Sequence, residues 1–389
     1  MLFQPSPLDA DDHRVVGEID EFRRRLRHYL REPRRWKGQL RRNLKARAIR
    51  GSNSIEGYDV SLDDAVAILE DEEPLDADRR TSLEIIGYRN ALTYIQQLAQ
   101  DTEFSLDQSL VRSLHFMMLG HDLSKSPGQY RKKTIYVHDE ENNEIVYEGP
   151  EPETVSSLMA ELMDDLSKTS DCPVYVRAAL AHLNLVMIHP FRDGNGRMAR
   201  ALQTLILARE KILAPEFSSI EEWLGRNTNA YYEVLADVGA GSWRPERSTR
   251  QWIRFNLTAH HIQAQTVLRR VTEASQMWSE LDTLLAKNKL PERAAFALFD
   301  ALIGIRVRRT SYEKDAQLEP GTAARDLRIL VSKGLLVASG ETKARIYTAS
   351  DELRQIRKNV AANRKDVVNP YGPTEETSET PRRSVSTVT

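Results

Sequence analysis

Residues 188–200 carry the clearest chemical signal in the 389-residue chain. Pro190 disfavours helical geometry at His189, so the apolar run 174–188 should leave its helix at that imidazole. Gly194, Asn195 and Gly196 then form a short loop in which the backbone can turn sharply. A new amphipathic helix, beginning at about Arg197, directs Leu202, Leu205, Ile206 and Leu213 toward a core. A glycine-bearing loop that feeds a helix N-terminus aims backbone N–H groups and a positive dipole end at one point, which makes an anion site. Arg197 and Arg200, three residues apart in the first turn, add fixed positive charge, and polyphosphate is the natural guest. Asp193 offers one carboxylate to Mg²⁺, which typically takes one or two carboxylates together with substrate phosphates. His189, neutral near pH 7, can accept the proton of an attacking hydroxyl. The pattern therefore places a base beside a phosphate cradle.

Each of these residues is commonplace alone; together they fall in the frame His-x-Phe-x-Asp-Gly-Asn-Gly-Arg-x-x-Arg, with Phe191 as a core residue. Eight specified positions in one frame arise by chance about once in 10¹⁰ starts. The frame resembles the signature of the Fic (Fic/Doc) family, and the resemblance extends over about residues 105–255. Residues 128–131 and 135–137 look like the family's flap hairpin, and Tyr231 and Tyr232 like its nucleobase-side segment. The resemblance implies His189 as base toward a target hydroxyl and Asp193 as Mg²⁺ ligand. It further implies Gly194, Asn195 and Gly196 as the cradle for the α- and β-phosphates, Arg197 as a phosphate ligand and Arg200 as the γ-phosphate ligand. The implied reaction is transfer of AMP from ATP to a Ser, Thr or Tyr hydroxyl of a protein target, with pyrophosphate leaving. Thr134, Ile135, Tyr136 and Val137 would dock that target's backbone as an added strand.

A second segment, with Ser52, Glu56 and Gly57, resembles the family's inhibitory motif (Ser/Thr)-x-x-x-Glu-(Gly/Asn). A carboxylate at Glu56 paired with the Arg200 guanidinium would occupy the group that the γ-phosphate needs. Two other readings stand beside autoinhibition. Glu56 could orient a water for removal of AMP from a modified protein, or the chain could be a DNA-binding regulator with a nucleotide-sensing core.

The elements that must position these groups are mainly α-helical. Residues 1–100 read as a helical region containing the inhibitory motif, with a break near 51–58. Residues 101–260 read as the catalytic core, with helices over 105–119, 154–166 and 174–188. Within that core, β-prone runs at 134–137 and 144–147 flank a turn at 139–143 and form the β-hairpin flap. A linking helix covers 261–290. Residues 291–350 then order three helices and two strands as in a winged helix-turn-helix, with Pro320 and Gly321 as the turn before a helix bearing Arg325, Arg328 and Lys333. The final stretch, 351–389, reads as a helix end and a disordered tail.

Composition fits a globular protein, with 40% hydrophobic and 29% charged residues, and no apolar run approaches the roughly 20 residues needed to span a bilayer. A lone cysteine, Cys172, excludes an internal disulfide, and a cytoplasmic location without membrane contact is expected. Net charge is only −2, but residues 22–50 hold thirteen Lys/Arg against one acid, Glu32. Phe22, Leu26, Tyr29, Leu30, Trp36, Leu40 and Leu44 recur there at near-helical spacing, so the arginines read as the solvated faces of packed helices. Residues 291–348 carry ten Lys/Arg and seven Asp/Glu. That surplus of three leaves DNA or protein as the contact of the winged-helix-like unit, and a homodimer is left open.

Overall fold

A computed structural model describes residues 1–101, 103–139, 144–211, 213–341, 345–362, 364–372 and 385–388. Four helices come first: α1 (Ala10–Arg31), α2 (Lys37–Ile55), α3 (Leu62–Leu69) and α4 (Arg79–Leu98). Local chemistry starts three of them. Asp9 and Asp12 form a reciprocal capping box on α1, Ser61 caps α3 and Asp78 caps α4, each satisfying backbone donors that a helix start leaves orphaned. The expected break at 51–58 is shorter than anticipated: α2 stays helical through Ile55, and Glu56 is its C-cap.

The core follows as α5 (Gln108–Leu119), strands β1 (Tyr136–Asp139) and β2 (Glu144–Glu148), α6 (Pro152–Ser167), α7 (Val174–Ile188) and α8 (Asn195–Arg209). Short helices α9 (Pro215–Ser218), α10 (Glu221–Arg226) and α11 (Thr228–Gly239) and the strand β3 (Gly241–Ser242) lead to α12 (Arg250–Asn288), which begins eleven residues before the expected linker and ends two residues short of its expected end. Nearly every side chain of α7 and α8 is buried. A helix apolar all round must sit inside, and these two form the centre around which α4, α5, α6 and the first half of α12 pack.

Last come α13 (Ala294–Leu302), α14 (Arg309–Ala316), α15 (Pro320–Ser332), the antiparallel strands β4 (Leu336–Ser339) and β5 (Ile346–Ala349), and α16 (Asp351–Ala362). This is the three-helix, two-strand order read from the sequence. Pro320, expected in a turn, is instead the first residue of α15, where its missing N–H costs nothing. The unit shares a second core with the end of α1, the start of α2 and the second half of α12, including Leu26, Leu30, Trp36, Leu40 and Leu44. Of the expected apolar stripe, Tyr29 alone is exposed, at 45%. Several of the basic residues are ion-paired across this junction. Arg42 meets Asp300 and Asp315, Arg306 meets Asp63 and Asp64, and Arg308 meets Glu72.

The flap differs from expectation at both ends. Thr134 and Ile135 precede the strand, and Ile135 is fully buried, so the strand proper is Tyr136–Asp139. Of the expected turn, residues 140–143 lie outside the described residues. Strand β6 (Val385–Val388), in the stretch expected to be a disordered tail, pairs antiparallel with β1, and the sheet order is β3-β2-β1-β6. Residues 373–384 and 389 of that stretch lie outside the described residues. No helix among the described residues is long and apolar enough to cross a membrane.

Candidate active site

The loop joining α7 to α8 is held from every side. His189 is the C-cap of α7, in the left-handed region at φ 50°. Arg131, only 6% exposed, donates from Nε to the His189 carbonyl at 2.8 Å, and its backbone N–H bonds the Pro190 carbonyl at 2.9 Å. Asn195 closes the loop on itself: Oδ1 accepts from the Phe191 N–H and Nδ2 donates to the Phe191 carbonyl, both at 2.9 Å. His115 stacks on Phe191 with ring centroids 3.7 Å apart. Its Nδ1 accepts from the Gly128 N–H at 2.8 Å, which puts the proton on Nε2, and Nε2 donates to the Asp193 carbonyl at 2.9 Å.

His189 Nδ1 lies 3.2 Å from the Val186 carbonyl, which can only accept, so the lone pair of the neutral ring is on Nε2. Burial pushes its pKa down from 6.5 to about 4. At neutral pH the imidazole is therefore a base rather than a cation. Asp193 stands at the rim with 38% of its side chain exposed. Burial opposes its ionisation, but Lys125, with Nζ 2.8 Å from Oδ2, outweighs it and holds the carboxyl below its ordinary range. Among the described residues no group of three or more His, Cys, Asp or Glu could hold a metal ion by itself. A single ionised carboxylate on a cleft wall fits a hard cation whose other ligands are phosphate oxygens and water.

The two arginines of α8 diverge. Arg200 lines the cleft and is 1% exposed, donating from Nη2 to Glu56 Oε1 at 2.6 Å and to the Ser52 carbonyl at 3.0 Å, and from Nε to Ser52 Oγ at 2.7 Å. Its Nη1 is buried without a hydrogen-bond partner among the described residues, a donor still open to an anion. Arg197, expected beside it as a phosphate ligand, turns away from the cleft. Its Nη1 bonds Glu84 Oε2 at 2.6 Å, with both side chains 1% exposed. Glu84 also accepts from Lys125 at 2.7 Å. Burial opposes its charge, yet Arg197 and Lys125 bring its pKa down to about 2. A buried charge needs such partners, so Arg197, Glu84, Lys125 and Asp193 form one chain of alternating sign.

Glu56 reaches the cleft through backbone geometry. α2 crosses α10 where Gly51 meets Gly225; a Cβ on Gly225 would lie 2.7 Å from the Gly51 Cα, so only glycines allow this approach. Helix α2 then ends with Gly57 in the left-handed region at φ 82°. The Glu56 carboxylate rests on the N-terminus of α8, and a Cβ on Gly196 would stand 2.5 Å from Oε1. An anion thus already occupies the place a helix N-terminus offers one.

Tyr231 and Tyr232 also line the cleft. The Tyr231 hydroxyl lies 2.9 Å from His182 Nε2, and that of Tyr232 donates to the Ile55 carbonyl at 3.1 Å. From the flap, Val137 and Tyr147 complete the wall, and the Tyr147 hydroxyl donates to the Met187 carbonyl at 2.7 Å. With Glu56 inserted, the free space is about 130 Å³, below the roughly 300–1,000 Å³ of ordinary ligand clefts. A wider cavity of about 740 Å³, with Arg27, Arg31, Arg41, Arg42 and Lys45 on its wall, lies apart from His189 and has no comparable set of acid–base groups. Of the residues predicted from sequence, the fold brings His189, Asp193, Gly194, Asn195, Gly196, Arg200, Glu56, Tyr231, Tyr232 and Val137 to one cleft, whereas Arg197, Ser52, Gly57, Thr134, Ile135 and Tyr136 do not line it, Ser52 instead accepting from Arg200 behind it. Sequence reasoning missed Glu84, Lys125, His115 and Tyr147. Arg131, which the resemblance places in the flap, clamps the loop instead.

Residues 105–207 match the sequence model of the Fic/DOC family. The protein adenylyltransferase Fic of Nematostella vectensis is 32% identical over 200 residues, 50% of this chain and 43% of that protein. The protein adenylyltransferase fic-1 of Caenorhabditis elegans is 33% identical over 201 residues, 49% of this chain and 36% of that protein. The chain thus spans less than half the length of these curated relatives. In fold it resembles the crystal structure of a Fic family protein from Desulfovibrio desulfuricans G20, with a TM-score of 0.57 at 22% identity, over 90% of this chain and 98% of that one. Fic-1 of C. elegans follows with a TM-score of 0.55 at 23% identity, over 67% of this chain and 73% of that one. The chain therefore carries a Fic/DOC family domain, built around the loop that His189 opens.

Proposed function

We propose that this chain is a protein adenylyltransferase that moves AMP from ATP to a Ser, Thr or Tyr hydroxyl of a protein, and that Glu56 restrains it. The carrying observation is the Glu56 carboxylate seated on the α8 N-terminus and bonded to Arg200 in the cleft that holds His189. A site that grips a carboxylate with a helix N-terminus and a buried guanidinium has the charge and donors for a phosphate. The names of the curated relatives support the same chemistry.

In this reading the α8 N-terminus at Gly194, Asn195 and Gly196 takes the α- and β-phosphates through backbone N–H groups, since the Asn195 side chain is committed to Phe191. Arg200 takes the γ-phosphate once Glu56 withdraws, and Tyr231 and Tyr232 face the nucleobase. Arg197 serves by holding Glu84, and through it Lys125, in register with Asp193. Asp193 would hold Mg²⁺ against the phosphates, and the cation supplies positive charge for the departing pyrophosphate. His189 Nε2 accepts the proton of the target hydroxyl as its oxygen approaches the α-phosphorus.

The test is protein labelling with ATP marked at either the α- or the γ-phosphate, in the presence of cell lysate. Retention of the α-label alone on protein is the expected result. Retention of the γ-label would mean phosphate transfer and overturn the reading.

A further inference from the structure

A cavity of about 220 Å³ opens between α2, α12, α13 and α16, and no residue that lines it also lines the cleft with His189. Asn43, on α2, forms part of its wall and is only 4% exposed. Arg47, one turn further on, donates from Nε to Asn43 Oδ1 at 2.8 Å. A guanidinium can only donate, so this bond fixes which end of the amide is the oxygen. The other end, Nδ2, is buried without a hydrogen-bond partner among the described residues. Such a donor is costly unless something accepts from it. The wall is also crowded with positive charge: six arginines line the cavity and Glu273 is the one carboxylate beside them. Glu273 accepts from Arg364 at 2.6 and 3.1 Å and lies 4.0 Å from Arg269. Glu222, from α10, is shared by three others, accepting from Arg270 at 2.5 and 2.7 Å, from Arg226 at 2.8 Å and from Arg47 at 3.3 Å. Burial, and after it the nearby Arg270, pull the Arg47 guanidinium down to about 10, as expected where like charges are gathered out of water.

We propose that this cavity is a binding site for a small phosphate-type oxyanion, separate from the cleft. Planar guanidiniums match phosphate oxygens two bonds at a time, and several of them around one point favour a multiply charged anion over chloride. Asn43 Nδ2 adds a neutral donor from the buried side. The volume sets the size of the guest. It falls below the roughly 300–1,000 Å³ of clefts for drug-sized ligands, yet it is several times the roughly 30 Å³ that one water takes in the liquid. Orthophosphate or pyrophosphate therefore fits, and a whole nucleoside triphosphate does not. The site stands independently of the reaction proposed above.

Calorimetric titration of the full chain with orthophosphate and, separately, with pyrophosphate, at one fixed ionic strength, tests the proposal. Saturable binding of at least one of the two is expected. Arg269→Gln combined with Arg357→Gln removes two charges whose side chains make no hydrogen bond among the described residues, so the thermal midpoint should stay near that of the parent. The same pair should weaken the anion by at least about tenfold. Asn43→Asp keeps the shape and the bond from Arg47 but takes away the donor, and it should weaken the anion as well. Absence of saturable binding to the parent would overturn the proposal. So would an affinity unchanged in the glutamine pair or in Asn43→Asp, since the anion would then sit elsewhere on the chain.

Discussion

The loop 189–196 and the Glu56 side chain meet in the same cleft but are held in opposite ways. Three side chains from outside the loop fasten it, Arg131, His115 and Lys125, and Asn195 closes it on itself. Glu56 is attached through one carboxylate oxygen to one guanidinium, on a helix end whose next residue is a glycine at positive φ. Redundant contacts make a structure rigid, and a single contact makes it releasable. On the proposed function, the catalytic geometry is prebuilt and what varies is which anion sits on α8.

Breaking the rigid side should give the largest effect. His189→Ala is expected to lower AMP transfer by roughly 10²- to 10⁴-fold while ATP binding is retained, measured as label on protein beside nucleotide affinity. A variant with near-parent labelling would remove the imidazole from the chemistry. Asn195→Ala comes next, since it leaves the Phe191 N–H and carbonyl unpaired in a buried loop. It should cost about 1–3 kcal/mol of stability in denaturant titration and lower transfer as well. An unaltered midpoint would mean that the loop is not held as described.

Protonation sharpens the same contrast on a smaller scale. Burial holds His115 and His189 at about 4 and His182 at about 3, against 6.5 for an ordinary histidine. Between those values the unfolded chain binds protons that the folded chain refuses, so stability rises with pH. The contribution is complete above about pH 6.5 and is lost as pH falls toward about 4, by up to about 1.4 kcal/mol per pH unit for each group. Thermal midpoints across this range check it, and midpoints that stay level below about pH 6 would contradict it. The smallest effect is on rate: with His189 already neutral, transfer should stay nearly constant between about pH 6 and 8. An apparent pKa near 6.5 in the rate profile would place the imidazole in water rather than in the core.

Most of the loop was legible because its punctuation is local. Pro190 ends α7 at the residue expected, and Gly194, at φ 76°, is the N-cap of α8, which begins at Asn195, two residues before the expected Arg197, so that Asn195 and Gly196 are helical rather than loop. The partners of the loop were not legible in this way. Lys125, His115 and Arg131 lie 58–78 residues from the groups they hold, and no spacing rule ties them together. Glu84 did leave a signal: it sits at helical spacing with Tyr88, Ala91, Leu92 and Ile95, all buried, and a carboxylate on an apolar stripe needs a cation. The direction of Arg197 depended on that carboxylate and could not be read from α8 alone. β6 was missed because its polar surroundings resemble a tail, whereas strand addition draws on backbone groups that every sequence has.

The central claim is that Glu56 withholds Arg200 from the triphosphate. A charge-assisted bond of about 1.5–3 kcal/mol corresponds to roughly a 10- to 100-fold change, so Glu56→Gly should raise AMP incorporation by about that factor. The direct measurement compares AMP incorporated from α-labelled ATP by the parent chain, Glu56→Gly, and Glu56→Gly with Arg200→Ala. The account predicts a gain in the single variant that disappears in the double variant. No gain from Glu56→Gly, or a gain that survives the loss of Arg200, would contradict it.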